Sequence, residues 1–80
     1  MHLREAIKLR IKKLAKEHNI NEYTLATLAG IAPSTLNDFS RGRVVLPKID
    51  TILHICEALN LELKDFFDDP IFKGVEFDRK

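Results

Sequence analysis

The stretch Gly30-Ile31-Ala32-Pro33-Ser34-Thr35-Leu36-Asn37-Asp38-Phe39-Ser40-Arg41-Gly42 constrains this chain more than any other. Only a residue without a Cβ takes the left-handed conformation at no steric cost, so Gly30 predicts the end of one helix and a turn. Pro33 suits the first position of the next helix, because its missing N–H would have no partner there. Ile31, apolar within the turn, plugs the angle between the two. From Pro33 onward only Leu36 and Phe39 are large and apolar before the helix ends at Arg41 and Gly42. A helix that gives so little to a core and shows so much to the outside is placed to touch something.

The flanking residues supply the core. Leu3, Ala6, Ile7, Ile11 and Leu14 recur at helical spacing and predict an amphipathic helix over about residues 3–18. Arg10 falls inside its apolar arc, so it either extends to the rim or meets a carboxylate that the spacing does not identify. Lys8, Lys12, Lys13 and Lys16 form its outer, solvated face. Asn21 is a suitable N-cap for a second helix, with Glu22 in the first turn and Leu25, Leu28 and Ala29 on its inner face. Ala26 is small enough to let the next helix come close. After a loop over 43–47, Ile49, Ile52, Leu53, Cys56 and Leu59 predict the inner stripe of a fourth helix. Leu61, Leu63, Phe66 and Phe67 mark a short fifth. Beyond it, Ile71, Phe72 and Phe77 either wrap back onto the chain's own core or meet a second subunit.

With 80 residues there is room for one domain and a single small core. The net charge is only +1, but it is unevenly placed. Residues 1–48 carry nine basic and four acidic side chains, a balance of +5, and residues 49–80 carry four and eight, a balance of −4. Such a dipolar chain can turn its positive end towards phosphates.

Catalytic chemistry has little to work with. There is no assembled Ser-His-Asp or Cys-His set, no phosphate-cradling glycine loop and no metal-ligand spacing, so neither an enzyme nor a cofactor is expected. Cys56 lies in an apolar stripe and reads as a small core residue, while His2, His18 and His54 are isolated. No apolar run is long enough for a membrane span or a signal peptide, and a cytoplasmic setting is expected.

Leu25-Ala26, Gly30-Ile31, Ser34-Thr35-Leu36, Phe39 with Arg41-Gly42, Pro47, Ile55-Cys56-Glu57-Ala58-Leu59-Asn60-Leu61 and Phe66-Phe67 together resemble the helix-turn-helix domain of Cro and phage-repressor type regulators. The resemblance implies an all-α, five-helix, lambda-repressor-like DNA-binding domain over 1–67, with its motif at about 21–42 and a tail at 68–80. It implies a bacterial or phage transcription regulator whose third helix enters the major groove of double-stranded DNA. Carried over by position, Ser34, Thr35, Asn37 and Asp38 are expected at base edges. Asn37 would pair with adenine, and Asp38 would accept from cytosine N4. The competing reading leaves Asn37 and Asp38 as solvent-facing helix residues. Asn21, Tyr23, Thr24, Arg41 and Arg43 are expected at the sugar-phosphate backbone. One such unit reads few bases, so a homodimer is expected, with Phe67, Ile71, Phe72 and Phe77 as its interface. The alternative is a protein-binding module, or an antitoxin whose tail holds a toxin.

Three positions depart from that family's pattern. Glu22 stands where a phosphate-donating glutamine is usual, and a carboxylate cannot donate. Pro33 stands where some relatives carry a base-reading side chain, and offers only apolar contact. Ala15 and Ser40 stand where an arginine-glutamate pair often joins the first and third helices. Losing both partners together strands no charge, so that link is expected to be replaced and not broken.

Overall fold

Left-handed residues end three of the helices in the same manner. In the computed structural model, which describes residues 1–76, α1 runs Leu3–Glu17, α2 Glu22–Ala29, α3 Pro33–Ser40, α4 Ile49–Ala58 and α5 Leu63–Phe67. After α1 and α4 the turning residues are Asn19 at φ +58° and Asn60 at φ +59°, and after α2 it is Gly30 at φ +74°. Each turn is closed in the same way. Ile20, Ile31 and Leu61 donate their N–H groups to the carbonyls of Ala15, Ala26 and Cys56, at 3.0, 3.0 and 2.8 Å. These bonds satisfy end carbonyls that a helix leaves open, and the apolar residue that follows the turn folds back on the core. Ile31 is half-buried there, packed on the core as the angle-filling reading requires.

The core gathers Ile7, Ile11 and Leu14 of α1 with Leu25, Leu36, Phe39, Ile52, Ile55, Leu59 and Phe66. Two inner faces differ from the sequence expectation. In α2, Leu28 is 58% exposed while Ala26 is completely buried. At about 100° per residue, Ala29 and Ala26 lie to one side of Leu25 and Leu28 to the other. The two alanines let neighbouring helices come close on their side, and Leu28 is left on the flank. In α4, Ile49 and Leu53 are 62% and 40% exposed, while Ile55 is fully buried. Ile52, Ile55, Cys56 and Leu59 make a narrow arc, and Ile49 and Leu53 fall beyond its edge. Each stripe is rotated about its helix axis from where apolar periodicity placed it.

Arg10 finds its carboxylate, and more. Its Nε donates to the Phe66 carbonyl at 2.7 Å, one terminal nitrogen donates to the Asp65 carbonyl at 2.9 Å, and the other meets Asp69 Oδ2 at 3.3 Å. The guanidinium therefore satisfies open carbonyls of α5 from within α1. Asp69 also accepts from Lys13 Nζ at 2.8 Å and from the Ile71 N–H at 2.9 Å, which opens a 3₁₀ turn at Pro70–Phe72.

The described part of the tail therefore wraps back. Phe72 packs on the core with its ring centroid 5.1 Å from that of Phe67 and 6.1 Å from that of Phe66. The Glu76 carbonyl accepts from the Leu3 N–H at 2.8 Å, pinning the tail to the start of α1. Phe77 lies outside the described residues.

Candidate nucleic-acid interface

α3 is anchored by two side chains, Leu36 and Phe39, which are 2% and 3% exposed. Pro33 occupies its first position, and no side chain caps its start. Ser34, Thr35 and Asn37 are exposed and Asp38 is half-buried. α2 lies across α3, and Asn21 caps α2 by accepting the Thr24 N–H at 2.8 Å. Asn21 and Tyr23 are exposed and Thr24 is half-buried.

A cleft of about 340 Å³ between the start of α2 and the outer face of α3 brings together Tyr23, Ser34, Asn37, Asp38 and Arg43. Thr35 lies towards the other flank of α3, where with Phe39, Leu46, Pro47 and Thr51 it lines a second depression. Asn21 lies beyond Glu22, in a groove shared with α1. Arg41 is exposed at the end of α3. Of the four residues assigned to an interface between copies, Phe67, Ile71 and Phe72 are half-buried within their own chain.

Two contacts join residues that sequence reasoning treated separately. Arg43 reaches back to Asp38 at 3.2 Å, and its backbone N–H donates to the Asp38 carbonyl at 2.8 Å. Gly42, at φ +80°, makes the turn that allows this return. A carboxylate expected to read a base and a guanidinium expected to hold a phosphate are thus partners. The pair is well exposed, so its cost to break is small beside what a phosphate offers the arginine.

Ser40 Oγ donates to both Glu22 oxygens, at 3.1 and 3.2 Å. Two of the three departures from the family pattern are therefore one feature. Glu22 gives up a phosphate-donating role and accepts the hydroxyl that α3 presents in place of a carboxylate. The replacement link joins α2 to α3, while Ala15 sits buried in the core with nothing to pair. The two partners are 18 residues apart, and neither carries a local pattern that pairs them. Replacing Ser40 by Ala is expected to cost about 1 kcal/mol or less, because the half-buried carboxylate can turn to water. Chemical denaturation checks it.

Burial pushes the Cys56 thiol up from its ordinary pKa, with Arg10 opposing the shift. Being fully buried as well, it is an inert thiol and not a nucleophile. Among the described residues, no helix is long and apolar enough to cross a membrane.

The family model for Cro/C1-type helix-turn-helix DNA-binding domains matches residues 10–70. No curated protein matches the chain. The crystal structure of the prophage Lp1 protein 11 superposes with a TM-score of 0.81 at 34% identity, covering 94% of this chain and all of that one. That of the clp gene regulator ClgR from C. glutamicum superposes with a TM-score of 0.68 at 22% identity, covering 84% of this chain and 86% of that one. The second likeness is one of fold.

Proposed function

The chain belongs to the Cro/C1-type helix-turn-helix DNA-binding domain family, and from that premise we propose that it is a sequence-specific transcription regulator that inserts α3 into the major groove. The observation that carries this reading is the economy of α3. Leu36 and Phe39 are its two buried side chains, so Ser34, Thr35 and Asn37 stand outside on a fixed frame. Asn37, exposed and placed mid-helix in the cleft, is the reader suited to adenine. Arg41 and Arg43 follow as backbone anchors, and Arg43 exchanges Asp38 for a phosphate on binding. Asp38, once released, is free to accept from cytosine.

The regulator acts as a homodimer in a cytoplasmic setting, each copy reading one half-site, with half-site centres roughly 34 to 36 Å apart. Ile49 and Leu53, one turn apart and 62% and 40% exposed, support a contact surface on α4. The half-burial of Phe67, Ile71 and Phe72 leaves the tail less to offer another chain, whether a second copy or a different protein.

Selection of bound sequences from a random duplex pool, followed by titration at several salt concentrations, tests the reading. Binding should weaken with salt along a log-log slope of about 0.9 per phosphate neutralised. A slope near zero would sink it. Asn37→Ala should cost about 1 to 3 kcal/mol and relax the preference at one base pair. Arg43→Ala should weaken binding to all sequences alike and flatten the slope by about one. Identical behaviour of the two variants would overturn the division into readers and anchors.

A further inference from the structure

The cleft in front of α3 carries a charge that opposes a polyanion. It is walled by two carboxylates, Glu22 and Asp38, and one basic side chain, Arg43, a formal balance of −1. Glu22 is turned towards the Ser40 hydroxyl, a neutral donor at 3.1 and 3.2 Å. Asp38 depends on Arg43, which is 3.2 Å away and, among the described residues, its one ion-pair partner. A single guanidinium therefore answers both the carboxylate beside it and any phosphate that approaches.

The pair can part without disturbing the backbone. The Arg43 N–H donates to the Asp38 carbonyl at 2.8 Å, a bond that does not involve either side chain. The side chains are 64% and 40% exposed, so water weakens their attraction, whereas a phosphate accepts two N–H bonds from one guanidinium. Once Arg43 has turned to the phosphate, Asp38 faces the base edges uncovered, on a helix fixed by Leu36 and Phe39. A carboxylate only accepts. In the major groove cytosine offers an amino donor, guanine and thymine offer acceptors, and adenine sets its amino group beside the N7 acceptor. Where no cytosine stands opposite Asp38, the carboxylate meets acceptors and phosphates alone.

We propose that Asp38 determines specificity by rejection: the transfer of Arg43 from Asp38 to a phosphate uncovers a carboxylate that opposes every sequence lacking cytosine at its position. The proposal rests on the DNA-binding reading above and gives one of its readers a second role. A residue that only reads adds affinity for the right sequence. A residue that rejects also lowers affinity for the wrong ones, and its removal shifts the two in opposite directions.

Selection from a random duplex pool with the wild type and with Asp38→Ala locates the pair that Asp38 faces, where a preference for cytosine should vanish in the variant. Fluorescence anisotropy then compares the selected duplex with one in which that cytosine pair is reversed. Asp38→Ala should bind the selected duplex more weakly than the wild type and the reversed duplex about fivefold more tightly, the lower end of what one mismatched pair costs. Asp38→Asn, which keeps the shape of the side chain and can donate to guanine, should show the same gain on the reversed duplex. Asp68→Ala, the same charge change beyond α5, should alter neither. Loss on the selected duplex without gain on the reversed one would overturn rejection and leave Asp38 a plain reader. An unchanged preference at every pair, or an equal gain from Asp68→Ala, would overturn the proposal and leave the DNA-binding reading intact. A wild type whose binding does not weaken with salt would end both.

Discussion

Replacing Arg10 by Ala is expected to lower the free energy of unfolding by about 3 to 5 kcal/mol, a large share of what a domain of this size possesses. The side chain sits in the apolar arc of α1, and three acceptors depend on it: the carbonyls of Phe66 and Asp65 and the carboxylate of Asp69. Those acceptors belong to the end of α5 and the start of the 3₁₀ turn, so one guanidinium holds three parts of the chain together. Truncation leaves the Phe66 carbonyl buried without a donor. Asp69 retains Lys13 and the Ile71 N–H but loses its inner partner. Arg10→Met should be nearly as damaging, since filling the space does not supply the donors. Urea denaturation should show a lower midpoint with an unchanged slope. A change below about 1 kcal/mol would show that water replaces the guanidinium without penalty.

The same joint sets a dependence on acid. The Lys13 ammonium first, and the Ile71 N–H after it, hold the Asp69 carboxyl below its usual range against a smaller opposing effect of burial. A carboxyl whose pKa is lower in the folded state stabilises the fold above its unfolded value of about 4. That contribution is lost as pH falls through the lower folded value. Asp69→Asn should remove this part of the acid sensitivity while leaving the Ile71 N–H bonded.

Phe66→Ala is expected to cost about 3 to 5 kcal/mol as well, through a cavity that the surroundings cannot close. Phe66 is completely buried, its ring lies edge-on to Phe67 with centroids 4.9 Å apart, and the Arg10 guanidinium carbon is 5.9 Å from its centroid. Removing the ring undermines α5, whose five residues have little stability apart from what they pack against. It also loosens the carbonyl that Arg10 holds. The two substitutions therefore act on one joint, and together they should cost less than the sum of each alone. Strict additivity in a double-mutant cycle would show that the ring and the guanidinium stabilise the fold independently. α3 is anchored through Leu36 and Phe39 and not through α5, so under conditions where the Phe66→Ala protein remains folded its DNA affinity should be close to that of the wild type.

Much of this architecture is legible along the chain because it depends on local chemistry. Gly30 and Pro33 mark a turn and a helix start through their own backbone preferences, and Asn21 caps α2 through a bond that spans three residues. The small apolar share of α3 identifies it as a contact helix before any neighbour is known. The direction of an inner face is a different matter. Leu28, Ile49 and Leu53 satisfy the helical period as well as their buried neighbours do, yet they stand exposed because, among the described residues, no other helix covers that side. Periodicity states which residues share a face; it does not state on which side of it the neighbour lies.

The same division runs through the candidate interface. The sequence alone determined the order of the helices, the turn that presents α3 and the residues that α3 leaves outside, since each follows from bonds and sterics within a few residues. Only the tertiary structure decided that Arg10 meets Asp69, that Glu22 takes the Ser40 hydroxyl, that Asp38 and Arg43 hold each other, and that Phe72 closes on its own core. Two of these four partnerships cross 18 residues or more, and Asp38 with Arg43 needs the turn at Gly42 to bring it about. Charges and hydroxyls carry no periodicity that names a partner, so which of them pair is settled by where the packed helices bring them together.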